Sequence, residues 1–402
     1  MSDVSRGSIQ VQGFSDPEMD FQLIRQLGSS SYGGSSVGEC LHIANIIRNN
    51  NPQEWVKQFA QLGEWQKKDG MERLVKNHII SGREQLLKAS NSFRAAEYYS
   101  PCSSPQHRKY GLNSADCFYT AVSNMDVHFE NHSIPYKNIN LPAYFISPAN
   151  DGMKRKTLMI VSGFDGTMEE EFIMRGMAAV ERGFNVIHFA GPGQMDLFRK
   201  YPDTYFEPDF EQVVKRVINH FEFRHEVDMQ HLTLMGISFG GYFALRAACY
   251  EPRIKSLILN SPILDLRAYL CAFASMDPGD LPDTDDFKIE DLPSIPDKVM
   301  SAQLKAQSEQ LITRFGQKSF KNIFNYLNEF NINDALIDLS IPSLALLGQG
   351  EGGEPREQFL RYCEQTHAAS YEFSDFEGAG THCQTGNVSF ANAVVYDWLE
   401  SV

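Results

Sequence analysis

The chain changes texture near residue 126. Before that point, apolar residues recur at helical spacing in 37–48, 53–76, 80–90 and 92–99, with Asn, Pro, Gly or Ser at the breaks. This predicts an all-helical unit over 1–125 with about four or five helices. From Val127 the period shortens to that of strands, first at 127–129 and then over 136–146, interrupted at Asn138 to Asn140 as a hairpin would be. Beyond Lys156, apolar strand candidates at 157–161, 185–189, 231–237, 254–259, 342–347 and 370–375 alternate with amphipathic helix candidates at 169–182, 209–222, 239–250, 356–366 and 387–399. Short, nearly continuous apolar strands are buried on both faces, so 126–402 reads as an α/β unit: a mostly parallel sheet with helices on both sides. One stretch, 266–335, breaks the alternation with an acidic, Pro-rich loop from Asp277 to Asp297 and two helix candidates at 298–315 and 320–330. Its length between two sheet strands predicts a lid over the site.

Composition narrows the classes without naming one. The 402 residues are 42% hydrophobic and 22% charged, with a net charge of -15, which is ordinary for a globular protein and unfavourable for nucleic acid or anionic membranes. A small-molecule partner is expected instead. The polar start, Met1 to Ser8, lacks a secretory pattern, and the seven scattered cysteines contain no Cys-x-x-Cys pair, so a cytoplasmic address with reduced thiols is expected.

The chemistry centres on Gly236-Ile237-Ser238-Phe239-Gly240, followed by Gly241, between a strand and a helix. Small residues around a serine at that junction allow a sharp turn that presents its hydroxyl and the first helical amides. A serine needs a base and an acid that orients the base, which in this fold follow in the order Ser, acid, His. Glu351 lies in the Gly-rich loop after strand 342–347, with Glu354 and Asp265 as alternative acids, although Asp265 also reads as a helix cap. His382 lies in the loop Gly378-Ala-Gly-Thr-His-Cys383 before the last helix, while His367 ends a helix candidate and reads as structural. The oxyanion donors expected are the amides of Phe239 and Phe164, with Gly163 allowing close approach; Asp165 either meets substrate or pins its loop through nearby amides. The loop Phe189-Ala-Gly-Pro-Gly-Gln194 packs near the site. It has no phosphate-binding spacing, and no metal-ligand pattern is present, so no cofactor and no metal are expected. Tyr32, Phe93, Tyr98, Tyr99 and Tyr269 could stack on a flat substrate or fill the core, and Arg94 and Glu97 are polar candidates beside them.

These residues resemble the α/β-hydrolase superfamily over roughly Val127 to Val402. Tyr32-Gly-Gly34, Val37-Gly-Glu-Cys40, Ser92-Phe-Arg-Ala-Ala-Glu-Tyr98, Ser162-Gly-Phe-Asp-Gly166 and Gly380-Thr-His-Cys-Gln384 look like the capped branch that contains 2,6-dihydroxypseudooxynicotine hydrolase. The polyketide-shortening hydrolases of melanin and anthraquinone pigment pathways look similar. The resemblance implies a helical cap over the triad, cleavage of carbon-carbon bonds next to ketones and, as in some members, a homodimer. Glu351 departs from the commoner aspartate at the acid position. An esterase or peptidase would use the same residues; an acyltransferase or a non-catalytic binding protein on this scaffold is the remaining alternative.

Overall fold

Strand alternation builds the centre of the molecule. In the computed structural model, Leu158 and Ile160 face one side of the sheet while Met159 and Val161 face the other, and all four are buried. The structure describes residues 6–402 apart from 8, 10, 48–49, 103, 274–288, 297–301 and 333–338. The start of the chain, most of the expected acidic loop from Asp277 to Asp297, and the first turn of the helix expected from Lys298 fall outside the described residues.

Eight strands form one sheet: β1 (His128–Tyr136), β2 (Ile139–Ser147), β3 (Arg155–Val161), β4 (Asn185–Phe189), β5 (Val227–Ile237), β6 (Ser256–Asn260), β7 (Ser343–Gly348) and β8 (Ala369–Phe373). Their order is β1-β2-β4-β3-β5-β6-β7-β8, antiparallel at β1/β2 and β2/β4 and parallel elsewhere. β1 is longer than its expected three residues. It is an edge strand whose polar stretch from Glu130 to Ser133 faces charged neighbours, including Arg224, which donates to Glu130 at 2.7 Å.

Helices α1 (Pro17–Gly28), α2 (Val37–Ile46), α3 (Pro52–Val75), α4 (Ile79–Tyr98) and α5 (Pro105–Val122) precede the sheet. The break expected near Asn91 does not exist. That residue is buried in a continuous α4, where its side-chain amide donates to Gln26, Ser29 and the Gly34 carbonyl at 2.8–3.1 Å. α4 faces two ways: Leu86, Leu87 and Phe93 join the core on one face of the sheet, whereas Ala95, Ala96 and Tyr98 join a separate core with Trp55 and Phe59.

After β3 come α6 (Met168–Glu171) and α7 (Met177–Glu181), joined by a π-helical turn at Phe172–Gly176. The sheet is then covered by α8 (Met195–Phe198), α9 (Glu211–Phe221) and α10 (Gly240–Tyr250). The stretch before β7 contributes α11 (Leu266–Phe273), α12 (Ala302–Arg314) and α13 (Phe320–Tyr326), and α14 (Gly353–Thr366) and α15 (Val388–Ser401) complete the layers. Ile312, Phe315 and Phe330 from this stretch share the core of Phe239 and Phe243, so it is packed onto the molecule above the end of β5.

Candidate active site

Ser238 directly follows β5, and α10 begins two residues later. Its φ of 57° lies in the left-handed region, which costs a residue with a side chain roughly 1–2 kcal/mol. Close packing enforces the turn. A Cβ on Gly236 would run into the Gly240 carbonyl, and one on Gly241 into that of Ser261.

Glu351 ends a 3-10 turn immediately after β7 and is fully buried. Its Oε1 accepts the Gly348 amide at 2.8 Å, and its Oε2 lies 2.6 Å from His382 Nδ1. His382 Nε2 lies 2.9 Å from Ser238 Oγ. With Nδ1–H donating to the carboxylate, Nε2 is left to accept from the serine hydroxyl. The other acids go elsewhere. Glu354 accepts from Gln358 at 2.7 Å, and Asp265 accepts the Ala268 amide at 2.9 Å as a cap on α11. His367 closes α14 in a left-handed conformation on the surface.

The turn carrying His382 is pinned by residues with no local signature in the sequence. Arg175 donates to the Cys383 carbonyl at 2.9 Å, Asn260 donates to Gln384 at 2.6 Å, and the His382 amide donates to the Arg6 carbonyl at 2.9 Å. Burial lowers the imidazolium pKa, but the neighbouring Cys383 and Glu351 outweigh it, so the net displacement is upward from 6.5.

The loop after β3 lies against the elbow. An added Cβ on Gly163 would sit 2.7 Å from Ser238 Cβ and 2.8 Å from the Phe239 amide nitrogen. The Phe164 and Phe239 rings are 6.0 Å apart. Asp165 is anchored through arginines rather than through nearby amides: Arg25 Nη1 reaches it at 3.2 Å and Arg6 Nη2 at 3.9 Å. Burial would raise its pKa, but Arg25, Arg6 and His382 hold the carboxyl at about 2. Three consecutive glutamates at the start of the next helix each engage an arginine. Glu169 meets Arg199 at 3.2 Å, Glu170 meets Arg25 at 2.5 Å, and Glu171 meets Arg175 at 2.5 Å.

A cavity of about 30 Å³ lies at Ser238, walled by Gly163, Asp165 and His382 together with Arg6, Phe21 and Arg25. The last three residues were absent from the sequence-based candidates, and nothing in their local pattern marks them. Tyr32, Arg94 and Tyr98 do not line this cavity. Tyr32 packs against the sheet core, Arg94 lies behind the wall with its Nε 3.5 Å from Glu170, and Tyr98 donates to Glu18 at 2.8 Å. Among the described residues, no group of His, Cys, Asp or Glu side chains is arranged to hold a metal ion, and no helix is long and apolar enough to cross a membrane.

Sheet order, elbow and covering helices together define the chain as an α/β-hydrolase-fold protein, and residues 156–335 match the family described as alpha/beta hydrolase fold. Its relatives include alpha/beta hydrolase xenA of Xenoacremonium sinensis, 33% identical over 61% of this chain and 60% of that protein. They also include alpha/beta hydrolase pydG of an Acremonium species, 33% identical over 66% of each chain, and hydrolyase poxO of Penicillium oxalicum, 29% identical over 63% of this chain and 62% of that protein. The match thus spans about three-fifths of the length of the first of these relatives. In fold the chain is similar to 2,6-dihydroxy-pseudo-oxynicotine hydrolase, with a TM-score of 0.71 at 19% identity over 94% of this chain and 95% of that one, so the likeness includes the N-terminal helices.

Proposed function

We propose that this protein is a serine hydrolase that cleaves a carbon-carbon bond next to a ketone in a polyketide-derived or aryl β-diketone substrate. The observation that carries the catalytic part is the Ser238–His382–Glu351 chain, at 2.9 and 2.6 Å, on an elbow in the left-handed conformation. The bond class rests on the resemblance of the sequence motifs to the capped branch that cleaves carbon-carbon bonds next to ketones; the similarity to fungal hydrolases and hydrolyases supports the coarser hydrolase reading.

In this reading Ser238 Oγ attacks one carbonyl carbon while His382 Nε2 takes its proton, and Glu351 stabilises the resulting imidazolium. The amides of Phe239 and Phe164 receive the oxyanion, each worth about 3–4 kcal/mol if serine proteases are a guide. Collapse breaks the carbon-carbon bond, and its electron pair leaves as an enolate that His382 protonates at carbon. Water, deprotonated by His382, then adds to the acyl-serine and releases a carboxylic acid. The sum is one β-diketone plus one water giving one ketone and one acid. Residues 1–125 serve as a cap, and the stretch 266–335 as a lid. In this reading the substrate enters beside Arg6 and Phe21, which line the cavity at Ser238. The unit of action is a soluble enzyme without a cofactor, paired as a homodimer.

Labelling with a fluorophosphonate tests the catalytic half: one adduct on Ser238, lost in Ser238→Ala, is expected. A protein that takes no adduct is not a serine hydrolase. A panel of β-diketones, simple esters and peptides tests the bond.

A further inference from the structure

We infer that Arg314 and Gln194 are positioning residues that set the oxyanion loop of Ser162 to Phe164, an inference that rests on the hydrolase reading above. Arg314, the last residue of α12, is fully buried. Among the described residues it forms no ion pair with a carboxylate. Its Nε and Nη2 both donate to the Gly193 carbonyl, at 2.7 and 2.5 Å, and its guanidinium carbon stands 4.4 Å from the centre of the Phe164 ring and 5.0 Å from that of Phe206. Burial pulls its pKa down to about 10, which leaves it charged at neutral pH.

Burying a cation without a carboxylate is costly, and a stacked ring face with one carbonyl recovers part of that cost. What this arrangement secures is geometric. Gly193 leads into Gln194, whose fully buried side chain donates to the Ser162 carbonyl at 2.6 Å and accepts the Gly191 amide at 2.7 Å. The loop Ser162-Gly163-Phe164 is therefore held at its start by Gln194 and at its end by the Arg314 cation on the Phe164 ring. Between these holds, Gly163 is packed tightly on the Phe239 amide. A loop clamped at both ends keeps the Phe164 amide aimed where charge develops, and a shift approaching 1 Å costs about a hundredfold in rate.

The test compares Arg314→Met, Arg314→Lys, Gln194→Ala and Phe164→Leu with the unaltered enzyme on a p-nitrophenyl ester, and measures the affinity of a trifluoromethyl ketone that mimics the tetrahedral oxyanion. Arg314→Met and Gln194→Ala should each lower kcat about ten- to a hundredfold, with KM within about twofold. Affinity for the ketone should fall in parallel with kcat/KM. Arg314→Lys, which keeps the charge over the ring, should recover part of the loss. A raised KM at unchanged kcat, or an undiminished affinity for the ketone, would overturn the inference and make Arg314 a packing residue. If Arg314→Met does not fold, Phe164→Leu decides, since it removes the ring and keeps the amide: an unchanged kcat refutes the clamp. An unaltered enzyme that resists the fluorophosphonate defeats the hydrolase reading itself, which is a separate outcome.

Discussion

Below Ser238 the molecule is held by apolar alternation: every residue of β4 and β6 is buried, and the loops that carry Ser238, Glu351 and His382 leave the ends of β5, β7 and β8. Above it the material is different. The wall contributed by α1 and α6 is joined by buried charge, with Arg25 shared between Glu170 and Asp165 at 2.5 and 3.2 Å, and the stretch before β7 is joined by Arg314 on a carbonyl and two rings. Apolar strands tolerate substitutions of similar shape. A buried ion pair adds little net stability but is costly to break, because one charge is left without its partner. The base of the site is thus robust, whereas its cover is specific and vulnerable to loss of a single charge.

The difference can be broken from either side. Removing the nucleophile with Ser238→Ala should have the largest effect, a loss of about 10⁵–10⁶ in kcat at unchanged thermal stability, measured on an activated ester. Glu351→Gln should lower kcat by about 10⁴ and shift the pH profile. The sign follows from the raised His382 pKa: the base works only when neutral, so kcat/KM should rise with pH through a midpoint above 6.5, and Glu351→Gln should bring that midpoint down. Stability runs the other way. The pairing of charged His382 with Glu351 stabilises the fold fully below pH 6.5, and this contribution fades as the pH rises through the raised value.

On the cover, Arg25→Met takes the nearest cation from two buried carboxylates, leaving Asp165 with Arg6 at 3.9 Å and Glu170 with Arg94 at 3.5 Å, and should cost about 3 kcal/mol in chemical denaturation. An equally large Leu→Met change in the sheet core, at Leu234, should cost under about 1.5 kcal/mol. Equal losses at the two positions would erase the contrast. The smallest effects belong to the two other carboxylates: Glu354→Gln and Asp265→Asn should leave kcat within about threefold, since Glu354 bonds to Gln358 and Asp265 to the Ala268 amide rather than to His382. A thousandfold loss at either would move the acid away from Glu351.

The same contrast explains what could be read from the chain. Strands such as Asn185–Phe189 and the order of Ser238, Glu351 and His382 are written in local patterns, because period and turn residues act over a few positions. The position of Glu351 in the loop after a strand favoured it over Asp265, but its separation from Glu354, three residues on, depends on three-dimensional direction: Glu351 faces His382 and Glu354 faces Gln358. Asn91 looked like a helix break because it is polar, and only its partners Gln26 and Gly34, more than fifty residues away, explain why it sits inside α4. Arg25 and Glu170 are 145 residues apart and carry no shared signature. Two signals were available: Asp16 before Pro17 and Ser104 before Pro105 are the cap-plus-proline starts of α1 and α5, and both side chains accept amides of the first turn, at 2.9 and 3.1 Å.

The central claim concerns the bond. Incubation of the full-length enzyme with an aryl β-diketone in ¹⁸O-labelled water, followed by mass spectrometry of the products, tests it most directly. The account predicts one ketone and one carboxylic acid per diketone, one labelled oxygen in the acid, and neither product with Ser238→Ala. An intact diketone, with Ser238 still labelled by a fluorophosphonate and simple esters still turned over, would contradict it.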